Sequence, residues 1–134
     1  MSKISTDFLG KFYADAYSLK TFITRMGTHS GPRRSDVFFE STVAKQIALI
    51  EGELKDPILH LGNLDSIRTF QDCRDAVRAY YMLVTCNPVS GEYYNIGGTH
   101  SLEIGEILHH LISLSPKADS IKIEVSEERL RPID

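Results

Sequence analysis

Arginines placed at the ends of apolar segments are the side chains of this sequence best suited to chemistry, and the chemistry they suit is anion binding. They are Arg33 and Arg34, Arg68, and Arg129 with Arg131. Each guanidinium offers planar, bidentate hydrogen bonds that match phosphate oxygens. The densest stretch is Arg25-Met-Gly-Thr-His-Ser-Gly-Pro-Arg-Arg34. Before it, Thr21, Phe22, Ile23 and Thr24 read as the end of a buried strand. Gly27, Gly31 and Pro32 then break the strand into a loop where Arg33 and Arg34 point at a ligand. The carboxyl end of a strand is where open α/β sheets bind ligands. A surface turn with solvated arginines is the other reading of the same residues. On chemistry alone, the set fits a small molecule carrying a diphosphate.

Other reactive groups do not converge. His29, His60, His100, His109 and His110 are scattered, with no Ser or Cys nucleophile motif beside them. His109 and His110 are adjacent, so on a helix they diverge by about 100° instead of forming an i, i+4 ligand pair, and no metal site is expected. Glu51 with Glu53, and Glu127 with Glu128, read as solvated ends and not as an acid and base pair. Gly97-Gly98 is too short to cradle a phosphate, and no nucleotide-cofactor fingerprint is present. Cys73 and Cys86 lack metal-ligand spacing, which fits a reduced, cytoplasmic compartment.

The elements that must position these groups alternate between helix and strand. An amphipathic helix over 3–17 sets Ile4, Phe8, Leu9, Phe12, Tyr13 and Ala16 against Lys3, Asp7, Lys11 and Asp15. A strand over 19–25 follows, then a helix over 37–51 capped by Ser35 or Asp36, burying Phe38, Val43, Ile47 and Ile50 and closed by Gly52. Lys45 lies on its polar side. Ile58–Leu61 is a short strand, Gly62–Asp65 a turn, and Arg68-Thr69-Phe70 leads into a helix over 73–86 capped by Asp72 or Asp75, with Val77, Tyr80, Tyr81 and Val84 inward. Tyr93–Ile96 and Ile121–Val125 read as strands flanking a helix over 102–114 capped by Ser101. This is an α/β chain of one domain, and its 134 residues bury roughly two thirds of their unfolded surface. A net charge of -3 with 42% hydrophobic residues gives no global signal for nucleic acid or membrane, and no apolar run nears the about 20 residues of a membrane span.

Taken in order, several short motifs fit one family. They are Ile23-Thr24-Arg25, His29 with Gly31-Pro32-Arg33, Ala44-Lys45-Gln46-Ile47-Ala48, Leu61-Gly62-Asn63-Leu64 with Arg68 and Phe70, Ala79-Tyr80, Tyr94-Asn95-Ile96-Gly97 and Arg129-Leu130-Arg131-Pro132. The chain resembles the C-terminal half of extended short-chain dehydrogenases acting on sugar nucleotides. Within them it is most similar to the GDP-mannose 4,6-dehydratase and GDP-4-keto-6-deoxymannose reductase branch.

The resemblance implies partial Rossmann-like parallel sheet elements plus a small mixed α/β substrate-binding subdomain. It implies NAD or NADP as cofactor of the complete enzymes, held by an N-terminal dinucleotide-binding half that would precede Met1, so none is expected on this chain alone. Lys3 matches the lysine of the family's Tyr-x-x-x-Lys pair, which binds the nicotinamide ribose; its tyrosine would also precede Met1. Arg68 and Arg131 would contact phosphate or nucleotide, Lys45 would line the site, and the loop from Thr28 to Arg34 would border the sugar. Thr28 stands where the family usually has asparagine, and Thr69 where an aspartate commonly follows the Arg68 position. The expected ligand is a GDP-sugar or another nucleotide-sugar, bound by a chain inactive alone and assembled as a homo-oligomer. A noncatalytic interaction module, or one subunit of a split enzyme with a separate N-terminal half, are the alternatives.

Overall fold

Residues 2–126 are described by the computed structural model of this chain. The elements run α1 (Ser2–Tyr17), β1 (Ile23–Met26), β2 (Thr28–Ser30), α2 (Phe39–Glu51), β3 (Ile58–Leu61), β4 (Ile67–Asp72), α3 (Cys73–Thr85), β5 (Tyr93–Ile96), β6 (Ser101–Glu103), α4 (Ile104–Ser113) and β7 (Lys122–Val125), with a single 3₁₀ turn before β7. Two compact units result: Met1–Gly31 with Thr69–Thr99, and Pro32–Arg68 with His100–Asp134. The α/β class holds, and the paired strands β1–β5, β2–β4 and β3–β7 are all parallel.

In the first unit, β1 and β5 run in register from Ile23↔Tyr93 to Met26↔Ile96, and β2 pairs β4 from Thr28↔Phe70 to Ser30↔Asp72. Helix α1 meets β1 through its small residues. A Cβ on Gly10 would lie 2.9 Å from Ile23 Cγ1, and one on Gly91 would lie 3.0 Å from Ala14 Cβ. The Thr21 hydroxyl donates to the Gly10 carbonyl at 2.8 Å, fixing that close approach. The expected apolar stripe of α1 therefore faces outward: Ile4, Phe8, Leu9, Phe12 and Tyr13 are exposed, and the helix buries none of its residues.

In the second unit, β3 and β7 are matched from Ile58↔Lys122 to Leu61↔Val125. The core gathers Val43, Ile47 and Ile50 of α2, Leu59 and Leu61 of β3 and Leu108 of α4. Their periods of three and four on the helices and two on the strand produce this single apolar layer.

Several sequence expectations are corrected. The α3 residues Val77, Tyr80, Tyr81 and Val84 are exposed and Ala76 is the buried one, because the helix is seated by its small side. Asp72 does cap α3, its carboxylate accepting from the Arg74 amide at 2.7 Å. Neither Ser35 nor Asp36 caps α2. Its N-cap is Phe38, 44% exposed where burial was expected, and Asp36 instead offers its carbonyl to Thr42 Oγ1 at 2.5 Å. Ser101 opens β6 instead of capping a helix, and α4 starts later under a capping box of Glu103 with Glu106. Strands β2 and β4 occupy stretches read as loop and lead-in.

Candidate functional site

The parallel pair β1–β5 ends in two glycines. The Gly27 amide donates to the Ile96 carbonyl at 2.6 Å, and a Cβ on Gly27 would lie 3.0 Å from Thr69 Oγ1 and 3.2 Å from Gly97 Cα. A side chain at position 27 would crowd both. Thr28 follows directly as the first residue of β2, and His29 is held locally, its Nδ1 3.2 Å from the Gly27 carbonyl. Lys3 is exposed in the first turn of α1. Arg25, which shares the basic stretch, is spent on structure: it forms a two-nitrogen contact with Asp7 Oδ2 at 3.0 and 3.2 Å and covers the Tyr93 ring at 4.4 Å.

The second unit holds the other candidate arginines. Arg34 turns inward, contrary to the expectation that both loop arginines point at a ligand. Its Nε lies 2.8 Å from Glu40 Oε1, with the two side chains 19% and 16% exposed, and its guanidinium carbon sits 3.8 Å from the centre of the Phe38 ring. Arg33, one residue earlier, is exposed and has a left-handed backbone at φ 70°. Lys45 is exposed and bonds the Asp36 carboxylate, and that hydrogen bond, with the lysine's charge, holds the Asp36 carboxyl below its ordinary range. Arg68, exposed on β4, donates from one terminal nitrogen to the Ile67 carbonyl at 2.9 Å. Asp72 and Asp75 are paired with Arg74 and Arg78. Arg131, with Arg129, lies outside the described residues. Glu40 and Phe38 were not singled out from sequence as partners of Arg34.

A dinucleotide needs a strand that runs through a glycine turn into a free helix N-terminus. Here β1 runs into β2 and β5 into β6, with no helix between. Where strands do meet helices, carboxylates already sit on the first turns, Asp72 on α3 and Glu103 with Glu106 on α4. The described residues therefore do not fit a nicotinamide dinucleotide by themselves. Among them, no group of three His, Cys, Asp or Glu side chains is placed to hold a metal. A cleft of 990 Å³ beside Leu54, Pro57, Pro116 and Lys117 is lined by none of the arginines.

Comparisons with known proteins agree with one another. The family model described as GDP-mannose 4,6 dehydratase matches residues 1–134. GDP-6-deoxy-D-mannose reductase of Pseudomonas aeruginosa is 24% identical over 131 residues, covering 98% of this chain and 41% of that protein. dTDP-glucose 4,6-dehydratase of Salmonella typhimurium is 30% identical over 136 residues, covering 98% of this chain and 36% of that one. Among solved structures, that of RMD from Pseudomonas aeruginosa complexed with NADPH superposes with a TM-score of 0.80 at 24% identity, over 96% of this chain and 44% of the other. This chain thus spans about two fifths of the length of its relatives.

Proposed function

This chain belongs to the GDP-mannose 4,6-dehydratase family, and from that premise we propose that it is the sugar-nucleotide-binding portion of a cytoplasmic NAD(P)-dependent dehydratase or reductase acting on a GDP-sugar. The observation that carries this reading is the presence of two exposed arginines, Arg33 and Arg68, in one unit of a chain matched to the family from end to end. Bidentate guanidinium contacts bind a diphosphate, and Arg131 adds a third. Thr28 borders the sugar, Lys45 lines the site, and Lys3 orients the nicotinamide ribose when a dinucleotide-binding half is present. NAD or NADP supplies the hydride chemistry in the complete enzymes. The chain's own part is to bind and orient the sugar nucleotide.

Titration with GDP, followed residue by residue in NMR spectra, tests the reading. Saturable shifts around Arg33 and Arg68, weakened by salt, are expected. Arg68→Ala should weaken binding by about 1.5 to 3 kcal/mol, the range of a hydrogen bond to a charged group. Shifts that never saturate, or that are indifferent to Arg68→Ala, reject it.

A second reading, a noncatalytic interaction module, is favoured by one observation: the whole apolar stripe of α1 is exposed. The two readings are compatible if the complete enzyme is a homo-oligomer joined through α1.

A further inference from the structure

Among the described residues, four other than glycine have a left-handed backbone: Ser18, Arg33, Glu53 and Asn87. Three of them terminate helices. Ser18 directly follows α1, Glu53 follows the Gly52 cap of α2, and Asn87 follows the Cys86 cap of α3, which is where left-handed residues ordinarily stop a helix. No helix end accounts for Arg33. It follows Pro32 in a turn, and its positive φ is one that glycine or asparagine normally fills. A long side chain therefore occupies a glycine position, and such a conformation persists only where its surroundings over-determine it.

The surroundings are on the next residue. Arg34 is fixed on two sides, by Glu40 at 2.8 Å and by the Phe38 ring at 3.8 Å, with both members of the ion pair largely buried. The segment from Asp36 to Phe38 is tied down in turn, the Asp36 carbonyl by Thr42 Oγ1, its carboxylate by Lys45, and the Phe38 amide by the Ser35 carbonyl at 3.3 Å. Adjacent arginines thus have opposite fates, one sequestered and one exposed.

We propose that Arg34 is a positioning residue: its seat between Glu40 and Phe38 holds the Pro32–Arg33 turn so that Arg33 is presented outward as the anion-binding arginine of the loop. The inference rests on the reading of this unit as a diphosphate site, and it assigns the two arginines different jobs. Lysine at position 34 cannot replace the guanidinium, because a compact ammonium on a flexible stem does not stack flat on a ring while pairing sideways with a carboxylate.

Two measurements on the whole chain test it. The first needs no ligand. A left-handed residue gives a strong NOE between its own amide and Hα protons, and Arg33 should show one that Arg34→Gln and Arg34→Lys abolish while the amide resonances of the β3–β7 pair stay in place. Persistence of the NOE in both variants overturns the positioning role. The second is a GDP titration of wild type, Arg33→Gln, Arg34→Gln and the double variant. Positioning predicts that each single change weakens binding about tenfold and that the double variant is no weaker than Arg33→Gln. Additive losses would make Arg34 a ligand contact, and an unchanged affinity for Arg34→Gln would make it purely structural; either overturns the proposal. A wild-type chain that shows the NOE and its loss in the variants, yet binds no GDP, refutes the diphosphate reading and the outward role of Arg33 with it, while the mechanical coupling of the two residues stands.

Discussion

Asp72 caps α3 and clamps Arg74 with the same carboxylate: one oxygen accepts from the Arg74 amide at 2.7 Å, and the side chain receives the guanidinium at 2.6 and 2.9 Å. The guanidinium hydrogen bond is the largest cause holding the Asp72 carboxyl far below the ordinary carboxylate range, with the amide hydrogen bond next.

Acid should therefore loosen this helix start. A carboxyl whose folded pKa is depressed contributes stability that is complete above its unfolded value of about 3.9 and is lost as pH falls toward the folded one. Between neutral pH and about pH 5 the α3 amides should exchange at a constant rate once intrinsic chemistry is removed; below about pH 4 protection at Arg74 and Asp75 should fall. Asp72→Asn should flatten that response, since it keeps a capping oxygen and loses the charge. The pair is solvent-exposed, so added salt should shrink the effect. An identical acid profile in wild type and Asp72→Asn would show that the pair is idle.

The glycines at the carboxyl edge of β5 should differ sharply in tolerance. A Cβ on Gly98 would meet the Phe70 carbonyl oxygen at 2.1 Å and its carbon at 2.9 Å, and backbone atoms of a paired strand cannot move aside. Gly97 has only Thr69 Oγ1 at 3.6 Å and Gly27 Cα at 4.0 Å. Gly98→Ala should cost about 1 to 3 kcal/mol, as overpacking does, and Gly97→Ala less than about 0.5 kcal/mol. Urea denaturation separates them, and equal midpoints would refute the assignment.

Burial predicts a second contrast. Leu108 is fully buried in the core of the second unit, whereas Val84 on α3 is 75% exposed despite its helical spacing. Leu108→Ala should cost about 2 to 5 kcal/mol, and Val84→Ala should fall within about 0.5 kcal/mol of wild type. If Val84→Ala proved as costly as Leu108→Ala, α3 would bury its apolar face in solution.

What was legible follows from where signal is strong. Helix α2 and strand β3 carry apolar residues on a regular period and bury them, so their sequence pattern and their packing coincide. Strand β4, Ile-Arg-Thr-Phe-Gln-Asp, is polar at four of its six residues, and the three-residue β2 lies between glycines, so neither shows the alternation that identifies a strand. Ser101 looked like a cap because serine ordinarily is one, while the Glu103-x-x-Glu106 spacing that does cap α4 departs from the Ser/Thr form of that motif. In the candidate site, the basic loop was legible as a loop, but the inward turn of Arg34 was not. Glu40 lies six residues on, across the start of a helix, at a separation no local rule connects. The apolar stripes of α1 and α3 were both legible as stripes, but that of α3 was wrongly read as this chain's own core face, because periodicity reports that a face is apolar and not what covers it.

That uncovered face makes the last prediction. On α1, Phe12, Tyr13 and Tyr17 form an aromatic cluster with ring centres 5.5 to 5.8 Å apart, and Phe8 and Phe12 are 69% and 54% exposed. The side of the helix that meets β1 is already occupied by Gly10 and Ala14, so the helix cannot also turn its aromatic side inward without losing that seat. Covering one large apolar side chain is worth about 1.5 to 3 kcal/mol. Three such side chains from each of two copies compete with an association cost of about 4 to 15 kcal/mol, which places a homodimer joined through α1 within reach at tens of micromolar. A two-fold contact buries the same stripe from both copies and so doubles the gain of every residue in it. Sedimentation equilibrium should then find a dimer for the wild type and a folded monomer for the variant carrying Phe8→Glu and Phe12→Glu. A wild-type monomer at those concentrations, or a dimer that survives both substitutions, would mean that α1 is not the contact between copies.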